Sequence, residues 1–122
     1  MSLAGFHSPA EWAAASFPDH DAVVIETARS GEPTAQRGGV WLHSRYNPAE
    51  EAVRFADSAD LKRRRPVLVI GAGLGYHLRE IAARGFEVYA VDPDPAVVRV
   101  AAQTVLQGVA VSIAAGPAEA VV

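Results

Sequence analysis

The chain has 122 residues, half of them hydrophobic and one fifth charged, and its 11 basic and 14 acidic side chains give a formal charge of −3. That length holds one small domain hiding around two-thirds of its unfolded surface. The acidic balance gives no electrostatic footprint for nucleic acid, and the absence of cysteine excludes a disulfide framework, a thiolate metal site and a cysteine nucleophile. No apolar run approaches the roughly 18 to 20 residues that span a bilayer, and the N-terminus lacks the basic flank and apolar stretch of a signal peptide. A cytoplasmic protein with no membrane partner is the expectation.

In chain order, Ser8, Pro9 and Glu11 stand where an N-cap, a first-turn proline and a capping-box acid belong, predicting a short helix over Pro9 to Phe17. The β-branched run Ala22 to Thr27, the turn Ser30-Gly31-Glu32-Pro33, a short strand Thr34 to Arg37, Gly38-Gly39 and Val40 to His43 together read as a three-stranded antiparallel meander. Asn47, Pro48 and Glu50 repeat the helix-start signature, and apolar residues at helical spacing predict a second helix from Pro48 to about Lys62. Its end meets the basic run Lys62 to Arg65, read either as cations completing a helix C-terminus or as a phosphate clamp.

From Pro66 the pattern alternates. Pro66 to Ile70 is a continuous apolar run that suits a parallel strand covered on both faces. A glycine loop, a helix from Tyr76 to Arg84 closed by Gly85, and a strand from Phe86 to Val91 ending at Asp92 follow. A helix then starts at Asp94-Pro95 and runs to Gly108, and a third strand covers Val109 to Ile113. The fold class is therefore α/β: a partial doubly wound, Rossmann-like parallel sheet of three strands, preceded by an N-terminal helix and the meander. Residues 1–65 form the first part and 66–122 the β-α-β-α-β half, one compact unit expected to be a fragment or N-terminal domain of a larger protein.

Gly71, Ala72, Gly73, Leu74 and Gly75 lie between a strand and a helix N-terminus, where backbone N–H groups and the helix dipole can face a ligand. Asp92, followed by Pro93, lies 21 residues after Gly71, at the spacing of about 20 at which a strand-end acid receives ribose hydroxyls. The pattern points to a small nucleoside-containing ligand, the alternative being that the glycines merely permit a tight turn. A dinucleotide fingerprint needs glycine or alanine at the sixth loop position, and Tyr76 stands there, which disfavours NAD and FAD. The G-x-G-x-G form with its acid resembles class I S-adenosylmethionine-dependent methyltransferases over about residues 66 to 116. That family usually carries an acid two residues before the first glycine, where this chain has Val69.

A second resemblance covers more of the chain. Trp41-Leu42-His43-Ser44-Arg45-Tyr46-Asn47-Pro48, with Glu51-Ala52 and Arg54-Phe55, and then Gly73-Leu74-Gly75-Tyr76-His77-Leu78, is similar to the N-terminal region of motility accessory factor (Maf) proteins and their MptE-like relatives. It implies an accessory or N-terminal domain of a larger transferase, whose ligand would be a CMP-sugar or ATP. The donor domain of that family lies downstream of the matched region, so no transfer chemistry is implied for these residues alone.

His43, Ser44, Arg45 and Tyr46 form the densest polar cluster and are candidates, with Tyr76 and His77, to line a pocket beside the glycine loop. Their structural alternative is to bond the connection and cap the Pro48 helix. No histidine or carboxylate pair has metal-ligand spacing on one helix, Ser8 and Ser44 lack a nucleophile elbow, and Trp12 and Trp41 are expected as core or interface anchors. Three parallel strands are fewer than the roughly seven a complete methyltransferase sheet has, so methyl transfer by this chain alone is not expected. The first parallel strand would leave an apolar edge that invites pairing. The meander, a second copy in a homodimer, or downstream residues are the candidates to cover it. A fold that keeps an empty site and serves as an interaction domain is the remaining class.

Overall fold

The computed structural model describes residues 5–14, 23–63 and 65–116. The elements, in chain order, are α1 (Pro9–Ala14), β1 (Val23–Thr27), β2 (Pro33–Arg37), β3 (Val40–Trp41), α2 (Pro48–Ser58), β4 (Val67–Ile70), α3 (Tyr76–Ala83), β5 (Val88–Asp92), α4 (Pro95–Gln103) and β6 (Val111–Ala115). β1, β2 and β3 form an antiparallel sheet and β4, β5 and β6 a separate parallel one, each in that order. The chain has the expected mixed α/β, Rossmann-like architecture.

Local chemistry explains most boundaries. Ser8 and Glu11 close a capping box at α1: the Glu11 N–H donates to Ser8 Oγ at 3.3 Å and the Ser8 N–H to Glu11 Oε1 at 3.1 Å. The expected extension of α1 to Phe17 and the start of the first strand at Ala22 lie outside the described residues, as does Arg64. Asn47 caps α2 through its side-chain oxygen on the Glu50 N–H, but the helix stops at Ser58, short of the expected Lys62. Ala59 turns extended (φ −77°, ψ 141°) and the Ser58 hydroxyl bonds the Phe55 carbonyl, ending the ladder. The basic run therefore does not complete a helix C-terminus, and α2 has no basic residue in its last turn.

Both crossovers of the parallel half run in the same direction across the sheet, and right-handed crossovers of that kind put their helices on one face. Val88, Ala90, Val111 and Ile113 of that face form one buried cluster with Leu78 and Ile81 of α3, Val98, Ala101 and Ala102 of α4, Ala56 of α2 and Trp12 of α1. Val67 and Val69 pack against it. Trp12 is fully buried, and its indole N–H donates to the Ile113 carbonyl at 2.8 Å.

The expectation of a strand covered on both faces is corrected. Leu68 and Ile70, on the other face, are 44% and 62% exposed. The meander does not pair with β4, because it closes on itself as a sheet of its own. The edge that gains a partner is that of β6, where His7 and Ile113 exchange backbone hydrogen bonds at 2.9 and 2.8 Å. Further boundaries shift: β3 ends at Trp41 in place of His43, β5 starts at Val88 in place of Phe86, α4 ends at Gln103 where a helix to Gly108 was expected, and the last strand is Val111–Ala115 in place of Val109 to Ile113. After Gln103 the backbone leaves helical geometry (Thr104 φ −123°, ψ −96°), so the chain turns through residues 104–108 and pairs two residues later.

The antiparallel sheet is fastened to the carboxyl ends of the parallel strands, where open α/β sheets place their ligands. The Tyr76 hydroxyl donates to the Pro33 carbonyl, and Arg37 bonds Asp94 with Nε at 2.7 Å and Nη2 at 3.3 Å. Ala35, Ala52, Leu74, Tyr76 and Val105 make a second buried cluster between the two sheets.

Candidate functional site

The glycine loop follows β4 and leads into α3. Gly73 and Gly75 have positive φ (53° and 97°) and are closely approached: a Cβ on Gly73 would stand 2.6 Å from His43 Nε2, and one on Gly75 would overlap the Leu106 side chain. No other residue type fits either place without moving a neighbour.

Each backbone N–H of the loop is bonded within the protein. Gly71 donates to the Val91 carbonyl at 2.7 Å, extending the β4–β5 ladder, and Gly75 donates to the Ala72 carbonyl at 3.0 Å. Ala72 and Gly73 both donate to Asp92 Oδ2, at 2.9 and 3.3 Å. Leu74 donates to His43 Nε2 at 2.9 Å. The loop thus has the place and shape of a phosphate cradle, but its donors are already engaged.

Asp92 is 6% exposed, and its other oxygen accepts the Asp94 N–H at 2.9 Å. A carboxylate offers about four acceptor positions. Three are in use, one of them for the longer Gly73 bond, which leaves one acceptor position without a partner among the described residues. Pro93 beside it is exposed. Asp94 caps α4 through the Ala96 N–H and pairs with Arg37, so a continuous chain of bonds runs from the loop through Asp92 and Asp94 to β2. Arg37 Nη1 is buried and has no partner among the described residues.

The structure sorts the polar cluster. His43 is 7% exposed and lies on the loop with Tyr76 edge-on at 5.2 Å and His77 at 5.7 Å; His77 in turn packs edge-on against Phe55 at 4.3 Å. Ser44, Arg45 and Tyr46 are used elsewhere. Ser44 Oγ accepts the Tyr46 and Asn47 N–H groups, the Arg45 guanidinium lies 5.2 Å from the Trp41 ring centre, and Tyr46 is exposed. They form the connection, and only His43, Tyr76 and His77 of the six gather beside the loop.

The electrostatics follow from burial. His43 sits below the ordinary histidine value of 6.5 because burial disfavours its charged form; the bond to Glu51 opposes this and His77 reinforces it. His77 is lowered by burial too, with Glu51 opposing. Burial, then the Glu32 carboxylate, pushes the Tyr76 phenol up to about 12, against the effect of Arg79, so its hydroxyl is a fixed donor to Pro33. Two contributors carry no sequence signal of their own. Glu51, whose Oε1 lies 3.4 Å from His43 Nδ1, stands within a longer motif, and Arg37 stands in a strand without distinction.

No family model and no curated protein matches the sequence. Among solved structures, the crystal structure of MNMC2 from Aquifex aeolicus is similar with a TM-score of 0.51 and 19% identity, covering 84% of this chain and 45% of that one. The likeness is one of fold and establishes the Rossmann-like class. The chain spans less than half the length of that neighbour. Among the described residues no helix is long and apolar enough to cross a membrane.

Proposed function

We propose that this chain binds a nucleoside at the carboxyl end of its parallel strands, with S-adenosylmethionine as the preferred ligand, as the cofactor-binding portion of a methyltransferase-like protein. One observation carries the reading: the loop donors are engaged by protein acceptors while the strand-end acid, Asp92, keeps an acceptor position for a hydroxyl. A ribose suits that arrangement better than a pyrophosphate does. The Rossmann-like fold shared with MNMC2 supports it. Val69 offers no carboxylate for the methionine end, so Asp92 would carry recognition at the ribose.

A second reading is a nucleotide-binding or organising domain of a Maf-like transferase taking a CMP-sugar or ATP. The two segments that carry that resemblance meet where His43 bonds Leu74, although the same bond occupies the N–H that a phosphate would use. Under either reading a second copy covers the bare edge of β4, and the protein works in the cytoplasm.

Calorimetric titration with S-adenosylmethionine, CMP and ATP separates the readings, with Asp92→Asn as the control because it keeps one acceptor oxygen. Binding of S-adenosylmethionine that weakens about tenfold or more in Asp92→Asn, the weight of a hydrogen bond to a charged acceptor, supports the first reading. Binding of CMP or ATP alone overturns it in favour of the second, and binding of none overturns both.

A further inference from the structure

His43 is the one loop acceptor supplied from outside the parallel half. Its side chain is 3% exposed and lies against Gly73 with no room for an added atom. To accept the Leu74 N–H, Nε2 must carry no proton, so the ring proton sits on Nδ1 and faces Glu51 Oε1. Burial favours this neutral form. An anionic oxygen seeking the Leu74 N–H at the head of α3 would have to expel an imidazole held between Tyr76, His77 and Gly73. It would also meet the Nε2 lone pair and, on the neighbouring donors, the charge of Asp92.

We propose that His43 is a specificity-determining residue: it occupies the place of a ligand phosphate at the Leu74 N–H, so that the loop rejects phosphate-bearing ligands and leaves Asp92 to select nucleosides. The proposal rests on the nucleoside reading above and names the residue that enforces it. The groups facing the imidazole are Glu51 from α2 and Tyr76 and His77 from α3.

The test is a titration with sulfate, which stays dianionic across the histidine range, followed at the Leu74 amide by NMR in three proteins. His43→Gln keeps an acceptor oxygen, and His43→Ala removes the ring and opens the place it fills. At neutral pH the alanine variant is expected to gain sulfate affinity by about tenfold or more, the weight of one hydrogen bond to an anion, while the natural protein and the glutamine variant do not. Acidification from about pH 8 to pH 5 should bring sulfate to the Leu74 amide in the natural protein as Nε2 takes up a proton. It should not do so in His43→Gln, which retains His77 and Glu51. Equal sulfate affinity in all three proteins with no gain on acidification overturns the proposal. Should His43→Ala lose its native amide spectrum, the acidification arm decides alone. Adenosine is titrated in parallel. Its failure to bind the natural protein sinks the nucleoside reading while the sulfate arms still judge His43, and adenosine binding with unchanged sulfate behaviour sinks His43 alone.

Discussion

The two faces of β4 begin from similar side chains and meet different surroundings. Val67 and Val69 pack under the helices, whereas Leu68 and Ile70, interleaved with them on the same strand, stand 44% and 62% exposed. The apolar run alone gives no hint of this difference, because alternation cannot distinguish the faces when every residue is apolar. Connectivity decides it. Two crossovers in one direction cover one face, and among the described residues no crossover in the other direction covers the opposite face of the first strand. Apolar composition reports that a strand can be buried, and topology determines whether it is.

The sharpest way to test the contrast is to weaken the covered face. Trp12 is fully buried on that side and ties α1 to β6 through its indole N–H on Ile113. Trp12→Ala should cost about 3–5 kcal/mol, the range for emptying a large aromatic site, read as a lowered urea midpoint. A loss below about 1 kcal/mol would mean that α1 is not an integral part of the core.

What was legible in the sequence follows the same division between local and non-local causes. The glycine loop, the capping boxes and the strand-end acid are local and stand where residue types and spacing put them. The last strand was misplaced by two residues, a slip that keeps each side chain on its own face and so leaves the hydrophobic pattern unchanged. The meeting of His43 with Leu74 spans 31 residues. No periodicity reports such a contact. Asp92 shows the limit from the other side: its spacing identified it, but its engagement with Ala72, Gly73 and Asp94 depends on how two loops are packed together.

The joint between the halves responds to pH in a way the covered core does not. His43 and His77 have depressed proton affinity in the fold, so the unfolded chain binds more protons once the pH falls below its ordinary value of 6.5. The stabilisation is complete above that pH and is lost as pH falls from there through the folded values. The urea midpoint should therefore fall on acidification below about pH 6.5, and His43→Gln should flatten the slope while leaving the share due to His77. A midpoint that rises on acidification would show that Glu51 dominates and holds an imidazolium in place.

The smallest expected effect lies on the bare face and sharpens the comparison most directly. Leu68 and Ile70 lose little water-excluded surface when shortened, because much of each side chain is already exposed. Leu68→Thr and Ile70→Thr should each move stability by no more than about 0.5 kcal/mol, as surface substitutions do, and threonine has the β-branched shape that suits a strand. Stability measured against protein concentration makes the test discriminating. A loss of about 2 kcal/mol or more that grows with concentration would mean that a second copy seats itself on this face and adds its free energy to folding. A loss of that size independent of concentration would instead place both side chains inside the folded core, and the contrast between the two faces would fall.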